Sequence, residues 1–234
     1  MPPSSSAGGD PARGFADRCL AAGLDLAAPL RVGWYNDAVD PHLRLHDFGN
    51  PESLAVLIGN SRALWPRLLD ALRTDVELLD DANPVEGYTM RCVLEAAQCV
   101  DVPYELRWAH DVLPHPIAIQ RLAQVAGLAY LAPSNLSVHP TYGPWIALRA
   151  VLVADVTGPP GPPPVMENPC DDCEHACLAA FRRALSQPAD WRHWLEVRDT
   201  CPTGGAYRYD ALQILYHYTK DRDALLRGIE KGAG

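Results

Sequence analysis

Three of the seven cysteines stand together in the run NPCDDCEHAC, where Cys170, Cys173 and Cys177 are spaced C-x2-C-x3-C. Thiolates are soft ligands, so this spacing points to zinc, an iron–sulfur cluster or a redox pair. A closed zinc site needs four ligands, and His175 or Cys201 would supply the fourth. The bacterial ferredoxin run is C-x2-C-x2-C-x3-C-P. Here Cys177 is followed by Leu178, and a Cys-Pro step comes only downstream, at Cys201-Pro202. The plainer reading is loop thiols that hold nothing.

The second feature is a lone arginine. Arg149 interrupts the apolar run PWIALRAVLVADV, and a charge in a buried strand is costly unless paired. It either meets a structural carboxylate or projects into a cavity and grips an anionic ligand with its planar fork. Arg192, Arg198, Arg208 and Arg222 are spread over a C-terminal region that is otherwise acidic or apolar, where most arginines serve solubility; Trp191 and Trp194 read as packing residues. His115 and His139 each precede a proline, in turns, and form neither a triad nor a metal spacing. No GxGxxG, Walker loop, HExxH or GxSxG occurs, so the common nucleotide, zinc-protease and hydrolase signatures are absent.

The elements that must position these residues follow from apolar spacing. Residues 1–13 read as a disordered Ser/Gly/Pro tail. GFADRCLAAGLDLAAPL reads as a helix and RVGWYNDAV as a strand and turn. SLAVLIGN is a short apolar run suited to a buried strand. Ser61 is placed to cap a helix with Leu64, Leu68, Leu69 and Leu72 at helical spacing; Pro66 falls in its first turn, where proline is tolerated. NPVEGYTMRCVLEAAQCV reads as a helix, YELRWAHDV as a strand, PIAIQRLAQVAGLAYLAP as a helix and PWIALRAVLVADV as a central strand. TGPPGPPPVMENP is an extended connector. Beyond the cysteines lie a helix near CLAAFRRALSQ, the turn DTCPTGGAY and one last helix over YDALQILYHYTKDRDALLRGIEK. The lack of a regular βαβ alternation points to α+β. The chain thus divides into a tail (1–13), an α+β core (14–158), a Pro-rich connector (159–169) and a helical C-terminal cap with the cysteine cluster (170–234), part of the same globule.

With 234 residues, 48% of them hydrophobic, the chain can bury a sizeable core. A net charge of −9 argues against nucleic-acid and anionic-membrane partners. The chain has no apolar run of about 18 residues and no secretory signal. With an odd cysteine count, this favours reduced thiols in a cytoplasmic protein over a disulfide framework.

In order, RVGWYNDAV, LAQVAGLAYL, VHPTYGPWIALRAVLV and DWRHWLEVRD resemble blocks of the cobalamin-processing family of the CblC (MMACHC) type, over residues 15 to 228. The resemblance implies a flavin-reductase (nitroreductase-like) α+β fold with a central, mostly antiparallel sheet flanked by helices. It implies a cobalamin-binding enzyme that removes the upper axial ligand by glutathione-dependent dealkylation or reductive decyanation. FMN or FAD is the implied reductant, and a cobalamin-accepting protein an implied partner. The family's glutathione-gripping arginines fall on Arg149, Arg198 and Arg222. Its corrinoid contacts fall on Ile117, Ala118, Ile119, Gln120, Ser137 and Leu148. Where the family often has a histidine before Val-Ala-Gly, this chain has Gln124.

The cysteine run resembles a reduced form of the ferredoxin-like appendage of epoxyqueuosine reductases and reductive dehalogenases. Ile214 and Leu215 stand where the second cysteine run of those proteins would begin, which excludes two clusters on ligand count. One [4Fe-4S] cluster or a zinc ion on Cys170, Cys173, Cys177 and Cys201 stays open. So do two other readings, an iron–sulfur corrinoid reductase and a non-catalytic cobalamin carrier.

Overall fold

The computed structural model of the protein describes residues 10–111 and 116–232. His115 and the first nine residues of the expected tail lie outside them. Helix α1 (Pro11–Ala21) begins within the expected tail, because the Asp10 carboxylate accepts the Ala12 amide and Pro11 suits a first helical turn. The helix does not run on to Leu30. Gly23, at φ +87°, ends it, and strand β1 (Leu26–Arg31) follows with alternate residues buried. RVGWYNDAV forms one helical turn, α2 (Val32–Asn36), rather than a strand. Local propensity loses there to tertiary bonds. The buried Tyr35 hydroxyl donates to the Leu43 carbonyl and accepts the Ala118 amide, while the Asn36 amide group binds both backbone polar groups of Leu45.

Strand β2 (Ser53–Asn60) is buried along its whole length, as its unbroken apolar run requires. Helix α3 (Leu64–Leu72) starts after Ser61, whose hydroxyl accepts the Ala63 amide and donates to Asp25. Helices α4 (Val76–Asp80) and α5 (Pro84–Ala97) lead to strand β3 (Tyr104–Trp108). Helix α6 (Ile119–Val125) is shorter than its apolar run. Gly127, at φ +71° and packed on Pro164, turns the chain into the hairpin of β4 (Tyr130–Leu131) and β5 (Ser137–Val138). Strand β6 (Ala147–Thr157) is followed by helices α7 (Ala176–Ser186), α8 (Trp191–Asp199), α9 (Ala211–Thr219) and α10 (Arg222–Lys231). The single last helix expected from the sequence is two. Lys220 is left-handed, and Asp221 caps α10 through the amides of Asp223 and Ala224.

The main sheet has the order β1-β2-β6-β3 and is antiparallel throughout. Pro29 is tolerated in β1 because that strand is an edge and can forgo an amide donor. Alternation along the central strands splits the core. Leu54, Val56, Ile58 and Leu152 pack with Phe15, Leu68 and Val93 on one face; Ala55, Leu57, Val151 and Val153 pack with Tyr35 and Leu122 on the other. Tyr216 and Leu225 of α9 and α10 belong to the first cluster, so the C-terminal helices share the main core. Among the described residues no helix is long and apolar enough to cross a membrane.

Candidate functional site

The site is built around an irregularity in β6. Ile58 pairs with Ala150 and Gly59 with Leu148, which leaves Arg149 without a partner residue on β2. Such a bulge re-aims the side chain it carries. Arg149 Nε donates to Asn60 Oδ1 at 2.7 Å, and among the described residues no carboxylate lies within ion-pair distance of the guanidinium. The structural-carboxylate alternative for Arg149 is therefore not realised. Burial pulls its pKa below the usual guanidinium value, Tyr209 and Glu86 oppose this, and Arg198 adds to it.

Two hollows meet at Leu148, the residue before the bulge. One, of about 140 Å³, is lined by Glu86, Thr89, Met90, Trp108 and Arg149. The other, of about 290 Å³, is lined by Ile119, Gln120, Leu136, Ser137, Ile146 and Arg198. Four of the six expected corrinoid contacts, Ile119, Gln120, Ser137 and Leu148, thus come together, with Arg198 beside them. The Ser137 hydroxyl oxygen is buried without a partner among the described residues, and the Gln120 amide is held by the Asn135 carbonyl at 2.6 Å. Ile117 instead packs on the second core cluster. Ala118 donates its amide to Tyr35 and faces a separate hollow beside Asp37 and Arg121.

Arg198 lies 5.9 Å from the centre of the buried Trp145 ring, an arrangement that favours a cation over the π face. Arg208 approaches the same ring but is held in a fork by Asp199 at 2.6 and 3.0 Å, which raises its pKa. No carboxylate among the described residues pairs with Arg198. Arg222 is not brought to these hollows. It binds Asp80 of α4 at 2.8 Å with its side chain half exposed.

Sequence reasoning missed His217 and Tyr209. Burial first, then Arg149, Lys220 and Arg198, pushes His217 down to about 3, so its ring is neutral. It contacts the buried Gln213 side chain at 3.4 Å and neighbours the Trp65 and Tyr209 rings. Tyr209 is raised by burial and drawn back by Arg198 and Arg149. These residues had no spacing signal, because they are joined to the arginines only by the fold. His139 does have a structural role: its Nδ1 accepts the amides of Thr141 and Tyr142.

All four candidate metal-binding cysteines are free thiols, with Cys170 and Cys177 buried and Cys173 and Cys201 half-buried. Cys170 and Cys201 pack with Ala132 and Val138, Cys177 packs with Ala180 and Val197, and Leu136 touches both groups. The thiols are thus neighbours. Yet among the described residues no three His, Cys, Asp or Glu side chains are arranged to hold a metal ion. The His175 ring, the other candidate ligand, has its Nδ1 buried without a partner among the described residues.

Fold and site together define an α/β domain with an antiparallel sheet, helices on both faces, and a cleft flanked by arginines. The chain belongs to the methylmalonic aciduria and homocystinuria type C family (MMACHC), whose model matches residues 23–226. Among curated proteins it is similar to the cyanocobalamin reductase / alkylcobalamin dealkylase of Danio rerio, with 28% identity over 92% of this chain and 91% of that protein. The protein of the same name from Mus musculus is 27% identical over 82% of this chain and 72% of its own length. Among solved structures, the C. elegans B12-trafficking protein CblC superposes with a TM-score of 0.72 at 17% identity, over 93% of this chain and 95% of that one. Epoxyqueuosine reductase from Streptococcus thermophilus superposes at 0.50 and 12% identity, over 92% of this chain and 78% of that one. At these identities the structural matches speak for the fold.

Proposed function

We propose that this chain is a cobalamin-processing enzyme that removes the upper axial ligand of cobalamins, as a cyanocobalamin reductase and alkylcobalamin dealkylase. The observation that carries the reading is the pair Arg149 and Arg198, two partly buried guanidinium groups on either side of Leu148 with no carboxylate within ion-pair distance among the described residues. Placing such charges without a counterion is unfavourable unless an anionic ligand completes them. Glutathione, with two carboxylates, matches two guanidinium forks. The corrinoid, written here as substrate, is edged with amides. The unpartnered Ser137 hydroxyl and the Gln120 side chain suit such groups in an otherwise apolar wall of Ile119, Ile146 and Leu148.

In dealkylation the arginines bind the glutathione carboxylates and hold the thiol over the cobalt-bound carbon. Their positive charge lowers the thiol pKa and enriches the thiolate. The thiolate attacks that carbon, a sulfur–carbon bond forms, and the electron pair of the broken cobalt–carbon bond stays on cob(I)alamin. Orientation supplies much of the rate. In decyanation a reduced flavin, FMN or FAD, is the proposed external electron donor, within a nitroreductase-like version of the fold. A cytoplasmic setting, where glutathione is abundant, belongs to the same proposal.

Anaerobic incubation with methylcobalamin and glutathione, followed in the visible spectrum, tests this reading. Cob(I)alamin should appear together with methylated glutathione, and a spectrum that never changes would refute the enzyme. Arg149→Ala and Arg198→Ala should each raise the glutathione KM by ~10- to 100-fold, the equivalent of losing a charge-assisted hydrogen bond of ~1.5–3 kcal/mol. Corrinoid binding should persist in both variants.

A further inference from the structure

The cysteine run has no part in the proposed reaction, and its geometry suits other chemistry. The Cys173 amide donates to the Cys170 carbonyl at 3.3 Å, closing a four-residue turn over Cys170–Cys173. In such a turn the first and last Cα atoms lie within about 7 Å, a span that overlaps the roughly 4.4–6.8 Å of a disulfide. The turn is pinned from outside. Asn168 accepts the Cys170 amide on its side chain at 3.0 Å and the Asp171 amide on its carbonyl at 3.3 Å.

The two thiols are not equivalent. Cys170 is 6% exposed and packs on Ala132 and Val138, whereas Cys173 is half-buried. The Cys173 sulfur accepts the His175 amide at 3.2 Å, which fixes its position at the end of the turn. No metal-holding arrangement ties up these thiols among the described residues.

We propose that Cys170 and Cys173 form a reversible dithiol–disulfide site oxidised by hydroperoxides, with Cys173 the attacking thiol and Cys170 the resolving one. The Cys173 thiolate attacks the peroxide oxygen, the O–O bond breaks, and a sulfenic acid and hydroxide (an alkoxide, from an organic hydroperoxide) result. The Cys170 sulfur then attacks the sulfenic sulfur; its proton leaves with the sulfenic oxygen as water, and the disulfide forms. Both sulfurs are oxidised by one electron each, and the peroxide is reduced by two. Cys170 is the buried member of the pair and Cys173 the accessible one, so Cys173 meets the oxidant first and Cys170 resolves. Asp171, Asp172 and Glu174 alternate with the pair along the chain, and their negative charge favours a small neutral oxidant over an anionic disulfide. Cys170 backs onto the β4–β5 hairpin that carries Ser137 to the cleft, so the redox pair lies one apolar layer from the proposed corrinoid site.

The test treats the full reduced chain with hydrogen peroxide, alkylates the remaining thiols after denaturation, and maps peptides by mass. The expected product is a Cys170–Cys173 link that dithiothreitol reverses, with Cys177 and Cys201 alkylated. In Cys170→Ser a sulfenic acid on Cys173 should be captured by dimedone; in Cys173→Ser the run should capture none. A Cys177–Cys201 link in place of the expected one, dimedone capture at Cys170, or oxidation of Cys92 and Cys99 ahead of Cys173 would overturn the assignment. So would zinc or iron bound by the four thiols in the purified chain.

Discussion

Arg149 shows how much one side chain depends on a neighbour that no pattern points to. Its register in the bulge is set by β2, and its direction by Asn60 at the end of that strand. Asn60→Ala removes the acceptor and leaves a partly buried donor unpaired, a cost of ~1–3 kcal/mol. A lower urea midpoint should accompany a glutathione KM raised less than in Arg149→Ala, since the guanidinium itself remains. His217 offers a second residue-scale test. Its folded pKa of about 3 lies below the ordinary histidine value, with Arg149, Arg198 and Lys220 as the charged neighbours that hold it down after burial. Between pH ~6.5 and 3 the unfolded chain therefore binds a proton that the folded chain refuses, so stability from this group is present above pH ~6.5 and is lost as pH falls. The full effect is on the order of 5 kcal/mol. Urea midpoints measured against pH should fall less steeply over that window in His217→Gln than in the parent. Parallel curves would show that the fold does not hold His217 neutral.

At the scale of elements, glycines decide where helices stop and loops meet. Gly143 has φ +57°, and a Cβ there would stand 1.9 Å from the Thr203 carbonyl oxygen. The turn after His139 is thereby locked against the loop that leads to Tyr209. Gly143→Ala combines a disfavoured backbone with a backbone clash and should cost at least ~2 kcal/mol. Its signature is a fall in thermal midpoint together with weaker glutathione dependence, because Trp145 and Tyr209, which flank Arg198, sit at the two ends of this contact. Element boundaries were the least legible part of the sequence for the same reason. The apolar runs beginning at Gly14 and Pro116 carry helical spacing through Gly23 and Gly127, and only packing against Arg67 and Pro164 shows that each glycine turns the chain. The central strands were legible. SLAVLIGN and the run around Arg149 are apolar on both faces, which suits strands covered by helices on both sides.

Across the whole molecule, the C-terminal helices close the first core cluster and bring Arg198 and His217 toward β6. Arg222 sits apart, paired with Asp80 at the surface. Exposed pairs contribute little, so Asp80→Asn should leave the thermal midpoint nearly unchanged. It also frees Arg222. If Arg222 joins Arg149 and Arg198 around glutathione, as the family resemblance implies, Asp80→Asn should lower the glutathione KM and Arg222→Ala should raise it. Equal KM values in both variants and the parent would confine the anion grip to two arginines.

The sequence by itself determined the kinds of element and the chemistry available: buried strands from unbroken apolar runs, amphipathic helices, a dithiol spacing, and a lone arginine that had to find either a carboxylate or a ligand. Hydrophobic periodicity and the cost of burying charge are local properties, so they can be read along the chain. Only the tertiary structure decided which alternatives were taken. It chose the amide of Asn60 for Arg149, set Ile119, Gln120, Ser137 and Leu148 beside Arg198 while leaving Arg222 outside, and made His217 a neutral neighbour of both arginines. Those outcomes depend on distances between residues far apart in the chain, which spacing does not encode.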